Sequence, residues 1–200
     1  MSNPPRKVWE QPWRYTEGFI VVAGILLAGI LLQITVGNID ISLFVTPVNI
    51  IIGALFILGL LIVHYFFRKN RIIRWLSGVY ATVPAIIVLI LLCIILGVLP
   101  QFSQSAGEGH STPGLSSLLG WHRMTTSWSF VVTCFYLLFI LGLAALRRTT
   151  RKQHWRDIGF YLNHMGLFIA LLAGMLGSAD LEMLTMTVSE GQLEWRGVNS

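Results

Sequence analysis

The chain alternates between long apolar runs and short polar or basic segments. A helix needs about 20 mainly apolar residues to cross the roughly 30 Å hydrocarbon core of a bilayer. Five runs approach or exceed this length: 18–36, 47–67, 78–99, 127–146 and 158–177. The pattern therefore predicts an all-α integral membrane protein with five transmembrane helices.

The segments around these runs carry weaker signals. The first run is too long for a secretory signal peptide, and no small-x-small cleavage site precedes Asn38, so we expect a membrane span. The segment 102–126 is rich in Ser and Gly and is predicted to be a loop. In the polar tail, Met183 to Val188 and Gln192 to Trp195 flank Ser189-Glu190-Gly191, which indicates a β-hairpin.

Basic residues fall on one side of the alternating segments. Of the 14 Lys and Arg residues, three precede the first run, four follow the second and five follow the fourth. Only Arg123 and Arg196 lie in the alternate segments. The positive-inside rule therefore predicts a cytoplasmic N-terminus and an external C-terminus.

Composition agrees with a membrane protein and excludes several other classes. Hydrophobic residues make up 54% of the chain and charged residues 12%, whereas soluble domains have about 25% charged residues. The net charge of +5 comes from basic blocks between apolar runs rather than from one solvated face, which argues against nucleic-acid binding. Cys93 and Cys134 both lie within apolar runs and form no Cys-x-x-Cys motif, so they are interpreted as small buried hydrophobes.

His164 is the strongest candidate for chemistry, because its run, 158–177, carries no Asp, Glu, Lys or Arg. A histidine inside a membrane span is costly to keep without a partner, which makes it a candidate functional residue. Its helical face is aromatic and aliphatic, and such a wall could hold a flat macrocycle by axial ligation. A hydrogen bond to a neighbouring helix would explain the histidine equally well. The residues of this face are Phe160, Tyr161, Leu167, Phe168 and Leu171.

Two further histidines are weaker candidates. His64 lies one turn before Arg68 and could supply a second axial ligand, as in a b-type cytochrome, or could simply keep its ring tip in water. His122 lies beside Trp121 and Trp128, where it could touch a ligand or belong to an aromatic belt.

A stripe of small residues runs along the same helix as His164. It recurs at every fourth position and permits close approach of either a helix or a ligand, and helix packing is the commoner use. Its members are Gly166, Ala170, Gly174 and Ser178.

From Tyr80 onward, three landmarks occur in a characteristic order. Gly97-Val98-Leu99-Pro100-Gln101 closes the third run, and Ser127-Trp128-Ser129-Phe130 opens the fourth. His164-Met165-Gly166-Leu167 is followed by Met186-Thr187-Val188 and Glu190-Gly191. In these landmarks the chain resembles the ResB (CcsB) family, the membrane subunits of System II cytochrome c biogenesis.

The resemblance implies a haem role for the histidine of the last run. His164 would be an axial ligand of transiently bound haem b, with Tyr161 and Phe168 as flanking contacts and His64 or His122 as further candidates. The implied function is that of a membrane subunit in a complex that transports haem and attaches it to cytochrome c. Such a subunit would not be an independent enzyme, and it would lie in the bacterial cytoplasmic membrane.

The resemblance also implies partners and a domain organisation. The expected partners are a CcsA-type Trp-rich membrane protein, apocytochrome c and thiol-reducing proteins, and no nucleic acid is expected. The predicted units are 1–77, an extra pair of helices; 78–177, the ResB-like core; and 178–200, the start of an external β-rich region that is much shorter than in the family. A structural membrane subunit without a cofactor and a b-type cytochrome remain the alternatives.

Overall fold

The computed structural model describes residues 9–101, 114–149, 158–181, 184–185 and 198–199. Within them, five helices are long and apolar enough to cross a membrane, so the chain is a multi-pass membrane protein, as predicted. The α-helices are α1 (Tyr15–Val36), α2 (Val48–Phe67), α3 (Arg71–Leu76), α4 (Val79–Val98), α5 (Leu115–Leu118), α6 (Trp128–Thr149) and α7 (Ile158–Gly177). Short 3-10 helices span Ile41–Phe44, Trp121–Thr126 and Ser178–Asp180.

The observed spans agree with the predicted ones to within three residues at each end, and α7 matches at both ends. The largest differences are the extension of α6 to Thr149 and the early start of α1 at Tyr15. Glu17 therefore lies in the first turn of α1, where it is buried, and its Oε2 accepts the backbone N–H of Arg14 at 2.7 Å. A carboxylate is stabilised at a helix N-terminus because it satisfies an N–H that has no partner within the helix.

Helix α6 is the centre of the bundle. Buried residues make up 56% of its span, against 11–22% of the other four, because α1, α2, α4 and α7 all pack against it. Glycines permit the closest approaches of α1: a Cβ at Gly29 would lie 2.6 Å from the Cα of Ser129, and one at Gly18 would collide with the carbonyl oxygen of Tyr80. Small residues at such contacts are typical of membrane helices, whose association depends on close packing.

Two clusters of buried apolar side chains lie along α6. The first joins α2, α6 and α7 through Leu60, Leu138 and Phe168, and the second joins α1, α4 and α6 through Val22, Ala85 and Ile140. Helix α1 therefore packs against α4 and α6, across the boundary predicted between residues 77 and 78. That boundary stays a prediction from the resemblance.

A polar network closes the end of the bundle where α1 ends and α6 begins. The buried amide of Gln33 donates through Nε2 to Asn38 Oδ1 at 2.7 Å and accepts the N–H of Trp128 at 3.0 Å. Asn38 in turn donates through Nδ2 to Thr126 Oγ1 at 2.9 Å. One side chain of α1 thus satisfies the first N–H of α6, which has no partner within its own helix.

The connecting segments contain more structure than the sequence predicted. The predicted loop 102–126 includes α5 and the 3-10 helix Trp121–Thr126, while residues 102–113 lie outside the described part. In the tail, Leu184–Thr185 pairs antiparallel with Val198–Asn199. The predicted hairpin turn and the predicted second strand, 192–195, lie outside the described residues, so the hairpin stays a prediction.

Candidate cofactor site around His164

A cleft of about 530 Å³ lies at the basic end of the bundle, where α4 and α7 begin and α6 ends. This His164 cleft falls within the usual size range of small-molecule sites, roughly 300–1,000 Å³. One side of its lining is apolar, and the rest carries hydroxyl, guanidinium and imidazole groups. The lining residues are Ser77, Gly78, Val79, Thr82, Val83, Leu141, Ala144, Arg147, Arg148, Phe160 and His164.

The imidazole of His164 is oriented by its own helix. Its Nδ1 lies 3.0 Å from the carbonyl oxygen of Phe160, one turn earlier. A carbonyl oxygen can only accept, so Nδ1 carries a proton, and the tautomer that fits this bond has its lone pair on Nε2. The ring also stacks on Phe160, with centroids 3.7 Å apart and planes inclined by 25°. Both contacts restrict the rotation of the imidazole.

Two arginines at the end of α6 contribute positive charge to the same cleft. The Arg148 guanidinium lies over the Phe160 ring, with Cζ 4.2 Å from the centroid, a cation–π geometry. Arg147 donates through Nη1 to the carbonyl oxygen of Arg74 at 2.8 Å and to Ser77 Oγ at 3.0 Å. The cleft therefore combines one imidazole with two guanidinium groups.

The single imidazole of the cleft fits an iron whose other ligands come from a cofactor rather than from protein. No group of three or more His, Cys, Asp or Glu side chains is gathered anywhere in the described part of the chain. A bare zinc ion would need such a group, whereas haem iron needs only one or two axial ligands from protein. Guanidinium groups at the rim match the carboxylates that such a macrocycle carries. One imidazole beside two guanidinium groups could thus hold an anionic molecule that carries its own metal, and it offers too few ligands for a bare metal ion.

Tyr161 and Phe168, the predicted flanking contacts, do not line this cleft. Tyr161 is half-buried and packs edge-on against Phe160 with centroids 5.8 Å apart. Phe168 is buried against α2 and α6 and stacks on Phe56 with centroids 6.4 Å apart. Phe168 therefore holds α7 in the bundle instead of facing the open space beside His164.

The other two candidate histidines, His64 and His122, lie apart from the cleft. His64 is half-buried near the end of α2, and α2 contributes none of the described lining residues. His122 lies near the opposite end of the bundle, with Nδ1 3.1 Å from the Pro100 carbonyl oxygen and Nε2 3.0 Å from Ser116 Oγ. Both of its ring nitrogens thus have protein partners, which is the arrangement of a structural histidine.

Arg147 and Arg148 are two of the five basic residues that follow the fourth run, and the sequence alone predicted no role for them at a site. Their place in the cleft was missed because it depends on how the end of α6 lies beside the start of α7. A usable signal was present: alternating spans bring the residues after the fourth run to the same membrane surface as the start of the fifth. The four-residue spacing of Phe160 and His164 also predicts that the two rings lie on the same face of α7.

The small-residue stripe faces open space rather than a tight helix contact. Ala170, Gly174 and Ser178 line a second, mostly apolar cavity of about 510 Å³ between α2, α6 and α7, near the end of the bundle opposite the basic segments. A Cβ added at Gly166 or Gly174 would meet no atom within 4 Å. The expected role of the stripe in close helix packing is therefore not what these positions do within the described structure.

Comparison with known proteins identifies no relative. The chain matches no family model, and no curated protein or solved structure is significantly similar to it. The His164 cleft and the motif resemblance are therefore the two features that point to a function.

Proposed function

We propose that the chain is a haem-handling membrane subunit of a cytochrome c assembly complex. The observation that carries the proposal is the state of His164: its Nδ1 is tied to the Phe160 carbonyl oxygen, and its ring lines a cleft that also holds Arg147 and Arg148. A hydrogen bond from Nδ1 is the arrangement that orients a histidine to bind a metal through Nε2.

Each wall of the cleft has a role in holding haem b. Nε2 of His164 would hold the haem iron, and Arg147 and Arg148 would pair with the propionates. Val83, Leu141 and their apolar neighbours would cover the porphyrin and keep water away from it. Bound haem supplies the iron and the vinyl groups that are later joined to apocytochrome c, and this chain binds and orients the molecule without performing that reaction.

A partner would supply any further ligand to the iron and would carry out the attachment step. No second histidine is found among the described residues that line the cleft, which is less favourable to a b-type cytochrome with His64 and His164 as paired ligands. The outer tryptophans, among them Trp121 and Trp128, do not form a Trp-rich presenting segment. A CcsA-type protein is therefore the proposed partner, with apocytochrome c and thiol-reducing proteins acting outside.

The proposed orientation sets the direction of transport. With a cytoplasmic N-terminus in a bacterial inner membrane, the basic end and the His164 cleft lie in the cytoplasmic half of the bilayer. Haem made in the cytoplasm would enter there and leave toward the partner. A histidine that serves only as interhelical packing is less well supported, since the hydrogen bond of His164 stays within α7.

The test is the assembly of c-type cytochromes in the native cell. Deleting the gene is expected to remove covalently bound haem from these cytochromes, as seen on haem-stained gels. The wild-type gene and His122→Ala restore the staining, whereas His164→Ala accumulates in the membrane without restoring it. Unchanged staining in the deletion strain would contradict the assembly role, and full restoration by His164→Ala would contradict ligation by this residue.

A further inference from the structure

A third cavity, a cleft of about 590 Å³, lies at the basic end of the bundle and shares Arg147 with the His164 cleft. Arg71 and Arg74 of α3 join Arg147 along its wall, and no acidic residue is among its described lining residues. The remaining wall is largely aromatic, formed by Trp13, Trp75 and Tyr80. The combination of three guanidinium groups with aromatic walls is suited to an anion at a membrane surface.

The position of this cleft corresponds to the headgroup region of a bilayer. Helix α3 is a six-residue helix between two membrane spans, and Arg71 and Arg74 share one of its faces at a spacing of three residues. Trp13, just before α1, packs edge-on against Trp75 with centroids 5.9 Å apart. Tryptophan and tyrosine side chains lie at the level of lipid headgroups, so the arginines beside them lie at the level of lipid phosphates.

Hydrogen bonds hold parts of this cleft in place. Arg71 donates through Nη1 to Gln11 Oε1 at 2.6 Å, which ties α3 to the segment before α1. That bond uses one of the five N–H donors of the guanidinium group. The bond from Arg147 to the backbone of Arg74 fixes the end of α6 against α3. A planar guanidinium fork matches two oxygens of one phosphate, which a lysine does not.

We propose that this cleft binds the headgroup of one anionic phospholipid, with its phosphate between Arg71 and Arg74 and its acyl chains in the surrounding bilayer. Charge complementarity favours an anionic over a zwitterionic lipid. In a choline lipid, the positively charged trimethylammonium group would lie beside three arginines. The location where α1 and α4 begin favours a lipid over a free phosphate, because lipid phosphates are concentrated at the level of the membrane surface. The proposal does not rest on haem binding, although Arg147 lines both clefts.

The test counts the lipids retained by the full chain in native mass spectrometry. The protein is purified in detergent and titrated with phosphatidylglycerol or phosphatidylcholine. We expect one tightly retained phosphatidylglycerol, bound roughly 30-fold more weakly in the Arg71→Gln/Arg74→Gln variant, at roughly five-fold for each arginine. The exposed pair Arg68→Gln/Lys69→Gln removes the same charge beside the cleft and is expected to leave retention unchanged.

Three outcomes would overturn the proposal. Equal retention of phosphatidylcholine would show that the negative charge is not recognised. Equal weakening in the Arg68→Gln/Lys69→Gln control would show a diffuse surface effect rather than a site. Free glycerol 3-phosphate that competes at the same concentration as phosphatidylglycerol would identify a soluble phosphate as the ligand. Melting temperatures in the same detergent check that each variant is folded, and they are expected to match wild type because all four substituted side chains are exposed.

Discussion

The Arg148 guanidinium lies over the Phe160 ring, with Cζ 4.2 Å from the ring centroid. This contact joins the end of α6 to the first turn of α7, and the same aromatic ring stacks on the imidazole of His164. A positive charge, an aromatic ring and an oriented imidazole are therefore in contact along one wall of the cleft. The site is built between two helices, so its geometry depends on how α6 and α7 pack.

Replacing the aromatic ring of Phe160 should weaken haem binding, although His164 stays in place as the proposed ligand. In Phe160→Leu the carbonyl oxygen still accepts from Nδ1, but the stacking and cation–π contacts are lost, which are worth about 0.5–1.5 kcal/mol each. We expect haem affinity to fall roughly three- to ten-fold in a titration followed by absorbance. Tyr161→Leu, one residue further and outside the lining, should change affinity less than two-fold.

Removing the charge of Arg148 should weaken the attraction between the cleft and the haem propionates. Arg148→Gln is expected to lower haem affinity roughly two- to five-fold, the range for an exposed ion pair, and the difference should shrink at high salt. Repeating the titration with haem dimethyl ester, whose carboxylates are blocked, should make wild type and variant equal. A persistent difference with the ester would show that Arg148 acts through packing instead.

Gly142 should be sensitive to the smallest possible enlargement. A Cβ at this position would lie 2.5 Å from Leu60 Cδ1 and 3.0 Å from Phe168 Cε2, where α2 and α7 both meet α6. Gly142→Ala is therefore expected to lower the free energy of unfolding by about 1–3 kcal/mol, through overpacking. Gly166→Ala, where a Cβ meets no atom within 4 Å, is the matched control and should be neutral or slightly stabilising. Denaturant titration in micelles measures both.

The polar network where α1 ends and α6 begins should depend on Gln33. Gln33→Leu keeps the volume but leaves the Trp128 N–H and the Asn38 Oδ1 without the partner that Gln33 supplies, at a cost of about 1–3 kcal/mol. Thr35→Val removes hydroxyl bonds that stay within α1 on an exposed face, and it should cost much less. Equal melting temperatures for the two variants would show that the network is not needed for stability.

The five spans could be predicted from the sequence because a charge-free apolar run has few alternatives to a membrane helix. The early start of α1 at Tyr15 could not be predicted from the apolar run. It places Glu17 in the first turn, where burial of the carboxylate depends on its hydrogen bond at the helix N-terminus. A charged residue marks the end of an apolar run, and here the helix extends beyond it.

The candidate site could be predicted at His164 but not in its surroundings. Phe168 lies one turn beyond His164 on the same helical face, and the sequence alone predicts similar environments for both. Gly142 allows α2 and α7 to approach α6 at the level of Phe168, which buries that ring, whereas a cleft opens at the level of His164. Such a difference between adjacent turns comes from tertiary packing and has no signature in helical periodicity.

The most direct test of the account is a haem titration of the purified chain with and without the His164 ring. Wild type and His64→Ala are predicted to give the Soret band of histidine-ligated haem, and His164→Gly is predicted to lack it. Added imidazole, which replaces the missing ring, should restore the band in His164→Gly. A His164→Gly variant that binds haem with wild-type affinity and an unchanged spectrum would contradict the proposed ligand.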